Sequence, residues 1–166
     1  RARQREKRSG VPRVDAMIVV GSPTGNGVSH IAAGGNQEII AAGIGLFGGS
    51  GVGSEAKIGA GGDQAISAIN GGLMLMGGGG ANAFAKIDPV NQSIVVVGDT
   101  VLTNGSGAGA VAGIGGTTLA LVTTGDLALG AGSQLTASNP SVAGYGGSLT
   151  NSGNVATPIV LTHVGV

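Results

Sequence analysis

Apolar positions in this chain come in clusters of two to four, or alternate with polar and small residues as in "TLALV" (118–122) and "DLALG" (126–130). Gly-Gly, Asn-Gly or Gly-Ser-Gly interrupts them every five to eight residues. Runs this short are below the length of a stable helix, whereas alternation sends successive side chains to opposite faces of a strand. The pattern predicts an all-β chain of many short strands joined by glycine-rich turns.

The strands recur. Asn36-Gln37, Asp63-Gln64 and Asn91-Gln92 open successive units at spacings of 27 and 28 residues. Each pair is followed two residues later by an isoleucine: Ile39, Ile66 and Ile94. A second apolar cluster follows at Leu46-Phe47, Leu73–Met76 and Val101-Leu102. Then come turns of small residues (48–51, 77–80 and 105–107) and a third segment that closes at Ile58, Ile87 and Ile114. Ile31 before "AAGG" matches Ile58 before "GAGG" and marks a partial unit ahead of the first. After residue 117 the array loses its Asn-Gln start, and beyond Gln134 only alternation persists.

Three strands per unit leave exposed edges unless each strand lies on its counterpart one coil below, about 4.8 Å away. The repeat therefore predicts a parallel β-solenoid with about three short strands per coil of 27–29 residues. In it Ile39, Ile66 and Ile94 stack above one another, facing inward. The pairs Asn36-Gln37, Asp63-Gln64 and Asn91-Gln92 form an amide ladder along the axis near a turn. Asp63 is the exception in that ladder, tolerated at a wet corner. Ala41, Ala42, Ala56 and Ala85 suit a narrow interior. By organisation, residues 1–16 are a basic tail, 17–133 the repeat solenoid and 134–166 degenerate C-terminal coils.

Composition sharpens this picture. The 166 residues include 36 glycines, one tyrosine, two phenylalanines and no tryptophan or cysteine, and only 10% are charged. A core built on aromatics is excluded, as are disulfides, thiolate metal sites and cysteine nucleophiles. Val, Ile, Leu and Ala nonetheless supply enough apolar surface for an ordered core. Glycine serves the corners, where a positive φ is needed.

The net charge of zero hides a division. Arg1, Arg3, Arg5, Lys7, Arg8 and Arg13 hold six of the eight positive charges, against Glu6 alone; from Val14 onward two lysines face seven acids. With no aromatic residue among the arginines to stack on bases, the segment reads as a solvated tail, and binding of nucleic acid or an anionic surface is not expected of it. "REKR" before Ser9 resembles a basic processing site. No signal peptide is legible, and the chain reads as a fragment or a processed product.

The stretch "GGNQEIIAAGIGLFGGSG", continued by "EAKIGAGGDQAISAINGGLMLMGGGGANAFAKI", resembles the degenerate repeats of filamentous haemagglutinin-type exoproteins, adhesins exported by two-partner secretion. The resemblance covers about residues 30 to 133 and rests on Asn-Gln-x-Ile, a glycine-serine turn, Ala-x-Ile and Gly-Gly. It implies a right-handed parallel β-helix, export to the bacterial cell surface, and a shaft that extends or presents adhesive regions to a host glycan or protein. The chain shows no secretion domain ahead of its repeats, so it is expected to be a shaft segment.

Catalytic chemistry is not expected. His30 and His163 stand far apart without metal-ligating neighbours, and Ser29-His30 point to opposite faces of a strand. Asp88, Asp99 and Asp126 approach one another only if their coils stack with matching faces, the arrangement a carbohydrate-active β-helix enzyme needs. "GAGAVA" (107–112) fits a dinucleotide fingerprint formally but lacks a following helix, and "VVGSPTGNG" (19–27) lacks the Gly-Lys-Ser/Thr of a phosphate loop. No cofactor or metal is expected, and Lys57 and Lys86 are placed together on an outer face. The expected role is a structural and adhesive shaft segment. A self-assembling fibre subunit, joined through its end coils and "SIVVV" (93–97), and a carbohydrate-active enzyme are the alternatives.

Overall fold

The structure is a computed structural model that describes residues 16–165, so the arginine-rich segment lies outside the described residues. All the regular structure described is β, numbered in chain order. Sheet 1 contains β1 (Met17–Val20), β4 (Ile44–Phe47), β7 (Leu73–Met76), β10 (Thr100–Thr103), β13 (Leu127–Leu129) and β16 (Leu149–Asn151). Sheet 2 contains β2 (Val28–Ala33), β5 (Glu55–Ala60), β8 (Phe84–Ile87), β11 (Val111–Gly116), β14 (Gln134–Ala137) and β17 (Asn154–Val155). Sheet 3 contains β3 (Gln37–Ala41), β6 (Asp63–Ala68), β9 (Asn91–Val96), β12 (Thr118–Thr123), β15 (Ser141–Tyr145) and β18 (Ile159–His163).

Every strand pairs in parallel with the strand three elements away, which makes the chain a β-solenoid of three stacked sheets. Six strands per sheet at about 4.8 Å give a stack roughly 24 Å from first strand to last. Partners on sheet 1 run Met17, Ile44, Leu73, Thr100, Leu127 and Leu149, so the final coil step is shorter than the ones before it. The C-terminal coils of residues 134–166 continue the same three sheets through β14 to β18.

Alternation explains the core. In β7 and β9 every second residue is buried, and the inward rows of neighbouring coils meet residue on residue. Leu46 and Leu75 pair on sheet 1, and Ile58, Ile87 and Ile114 on sheet 2. Ile39, Ile66 and Ile94 stand in register on sheet 3, followed by Leu121, Ala143 and Leu161. Ile66 and Ile94 are fully buried, while Ile39, in the first coil, is half-buried with Met17 and Ile31. Ala41, Ala56 and Ala85 lie inside. Ala42 does not: it sits half-exposed in the bend between β3 and β4, where its carbonyl accepts the N–H of Asn70 and of Gly71.

Glycine is concentrated where backbone stacks on backbone. At the corner between sheets 1 and 2, Gly80 N–H donates to Gly49 O at 3.3 Å and Gly107 N–H donates to Gly78 O at 3.2 Å. A Cβ at Gly49, Gly78 or Gly105 would overlap a carbonyl of the coil below. The same corner carries one left-handed residue per coil at Gly25, Gly53, Asn82, Gly109 and Gly132, with φ from 54° to 74°. Asn82 is the non-glycine member, and asparagine is among the side chains that tolerate this region best.

Candidate functional site: an inner amide ladder and an outer polar groove

The Asn/Asp-Gln pairs divide between two environments, because adjacent strand residues point to opposite faces. Gln37, Gln64 and Gln92 face inward in register. Gln64 Nε2 donates to Gln37 Oε1, and Gln92 Nε2 donates to Gln64 Oε1 at 3.1 Å. Gln64 and Gln92 are 2% and 4% exposed, so this ladder runs through the interior beside the isoleucine row, not at the corner alone. It ends under Leu119, the next inward residue, and leaves Gln92 Oε1 without a partner.

Outside, Asn36, Asp63 and Asn91 form a second ladder. Asn36 Oδ1 accepts Asp63 N–H at 3.0 Å, Asp63 Oδ1 accepts from Asn91 Nδ2 at 2.9 Å, and Asn91 Oδ1 accepts from Thr118 Oγ1 at 2.9 Å. Asp63 is exposed and paired, as a carboxylate at a wet corner requires.

The outward face of sheet 2 collects most of the charged side chains that project from the strands. His30, Lys57, Lys86, Gly113, Gln134 and Asn154 form one outward row. Lys57 Nζ lies 3.6 Å from Asp88 Oδ2, and Lys86 Nζ lies 4.5 Å from the Phe84 ring centroid, a cation–π contact. Asp88 follows β8 directly, its N–H bound to Ile58 O at 3.1 Å. It borders two depressions. One, of about 210 Å³, is lined by His30, Lys57 and Gly59; the other, of about 70 Å³, by Lys86, Gly113, Gly115, Gln134 and Thr136. The buried glycines Gly59, Gly113 and Gly115 set the floor at backbone level, and a Cβ at Gly115 would lie 2.5 Å from Thr136 Oγ1. The groove offers ammonium and amide donors beside carboxylate and hydroxyl acceptors, chemistry suited to a polar ligand laid over the strands.

The three acids named from the sequence are not gathered. Asp99 and Asp126 stack at the corner between sheets 3 and 1, where Asp99 Oδ1 accepts Asp126 N–H at 2.8 Å and Asp126 Oδ1 accepts Ser148 N–H at 2.7 Å. Asp88 lies at the corner after sheet 2. In each member of the stacked pair one carboxylate oxygen accepts a backbone N–H of the next coil, and Asp88, at its own corner, does not join them. Ser29 pairs with Ala56 and His30 with Lys57, on opposite faces of sheet 2. His163 contacts Tyr145 edge-on at 5.4 Å between centroids, with Nε2 3.2 Å from Gly146 O. Segments 19–27 and 107–112 both run through the stacked corner between sheets 1 and 2, the first from the end of β1 and the second into β11, and each leads into a strand, not a helix. Among the described residues no group of three His, Cys, Asp or Glu is placed to hold a metal ion.

No family model, curated protein or solved structure matches the chain.

Proposed function

We propose that the chain is a structural and adhesive shaft segment of a secreted or cell-surface bacterial exoprotein, without catalytic activity. The observation that carries this reading is coil-on-coil register over three continuous six-stranded sheets. Each coil is held to the next by backbone hydrogen bonds in all three sheets, so the stack resists bending and grows by addition of like units. The resemblance to haemagglutinin-type repeats supports an extracellular setting. The polar groove of sheet 2, around Lys57, Lys86 and Asp88, is the surface assigned to contact with a host glycan or protein.

Binding of the purified chain to a glycan array and to epithelial cells, beside the Lys57→Ala/Lys86→Ala variant, tests the reading. Binding that falls with the double substitution is expected. Release of reducing ends from any polysaccharide would contradict it in favour of a carbohydrate-active enzyme. Polymers that persist on dilution would favour the fibre subunit.

A further inference from the structure

Asparagine is followed by glycine three times, at Asn26-Gly27, Asn70-Gly71 and Asn104-Gly105. Glycine has no Cβ to hinder approach of its backbone nitrogen to the preceding side-chain carbonyl carbon, so the three dipeptides share one intrinsic chemistry. The fold separates them. Gly27 N–H donates to Gly25 O and Gly71 N–H donates to Ala42 O, which holds both nitrogens on carbonyl acceptors. Among the described residues, Gly105 N–H has no such acceptor. Asn104 and Gly105 directly follow β10 at the corner between sheets 1 and 2, where a Cβ at Gly105 would overlap the Gly77 and Gly78 carbonyls of the coil below. Across that corner, Ala112 N–H donates to Asn104 Oδ1 at 3.4 Å and polarises the side-chain carbonyl. Both residues are half-buried, which leaves them open to water and hydroxide.

We propose that Asn104-Gly105 is a self-modification site, at which the chain's own backbone nitrogen converts asparagine to aspartate or isoaspartate. Hydroxide takes the Gly105 N–H proton, and the nitrogen attacks Asn104 Cγ. Charge that develops on Oδ1 is met by the Ala112 N–H, already in place before the reaction begins. The new N–Cγ bond closes a cyclic imide. The Cγ–Nδ2 bond then breaks, and Nδ2 leaves as ammonia with a proton from water. A second water opens the imide: attack at Cγ gives aspartate, and attack at the backbone carbonyl gives isoaspartate. The isoaspartyl product carries one extra backbone carbon at a corner where backbone stacks on backbone, so it loosens the coil there.

Peptide mapping by mass spectrometry tests the proposal on the full chain, kept folded in mildly alkaline buffer at body temperature, beside the same chain in concentrated urea. In urea the structural differences vanish, and the three sites should convert at similar rates. In the folded chain Asn104 should convert about fivefold or more faster than Asn26 and Asn70, with a gain of about 1 Da and an isoaspartyl product at that position. Asn104→Gln should remove this product, because its longer side chain closes the ring far more slowly. The isoaspartyl fraction should unfold at a lower denaturant concentration than the unmodified chain. Conversion led by Asn26 or Asn70, or equal rates at all three sites in the folded chain, would overturn the proposal. So would an intact Asn104 after the unfolded chain has reacted, and an unchanged unfolding midpoint would overturn the loosening of the corner.

Discussion

Gln92 donates its side-chain amide to Gln64 Oε1 at 3.1 Å inside the coil, while its own Oε1 faces Leu119 without a partner. The ladder therefore has a direction, and its members are not equivalent. In Gln64→Leu, the Gln37 acceptor and the Gln92 donor both lose their partner, a cost of about 2–4 kcal/mol. In Gln92→Leu one orphaned acceptor disappears and another, Gln64 Oε1, takes its place, so the change should stay within about 1 kcal/mol. Guanidinium unfolding midpoints of the two variants check this asymmetry.

Thr100 makes the complementary case. It is fully buried on the inner row between Leu73 and Leu127, and its hydroxyl has no partner. Thr100→Val keeps the shape and removes the unsatisfied group. The variant should unfold at a higher denaturant concentration, by about 1 kcal/mol of added stability.

Gly109 tests the corner. Its φ of 70° lies in the left-handed region, and a Cβ there would collide with Asn82 Oδ1 of the coil below. Gly109→Ala should cost about 1–3 kcal/mol in thermal or chemical unfolding. Gly34→Ala should cost under about 1 kcal/mol, because nothing lies within 4 Å of a Cβ at Gly34 and its φ is not in that region.

Packing should grade along the axis. Leu75 is fully buried among the central coils, whereas Leu161 is half-buried in the last strand of sheet 3. Leu75→Ala should cost about 3–5 kcal/mol and Leu161→Ala about 1–2 kcal/mol, both read from unfolding midpoints.

The fold was legible because a solenoid repeats its register in the sequence. The spacing of Asn36, Asp63 and Asn91 is the spacing of coils, and "EAKI", "FAKI" and "VAGI" are three stacked strands of sheet 2. Glycine placement at corners was legible for the same reason. What escaped was sidedness. The sequence treats Asn-Gln as one ladder near a turn, but strand alternation sends asparagine out and glutamine in. The groove escaped as well. Lys57 and Lys86 were readable as one outer row, yet Asp88 joins them only through the path of the chain just beyond β8, and Gly59 in β5 and Gly115 in β11 only through the stacking of neighbouring coils. Ala42 was misplaced because size alone does not tell a bend from an interior.

Stacking in register is the central claim, and disulfide trapping tests it most directly, since the chain has no native cysteine. Ser67 and Val95 are partners on the outward face of sheet 3, one coil apart. Parallel neighbours about 4.8 Å apart fall within disulfide reach, while a pair displaced by two residues lies roughly 8 Å apart and does not. Under mild oxidation, Ser67→Cys/Val95→Cys should close an intramolecular disulfide and Ser67→Cys/Ser93→Cys should not, as read by intact mass and thiol titration. Equal closure in both variants, or closure only in the displaced pair, would contradict the solenoid register and the shaft built on it.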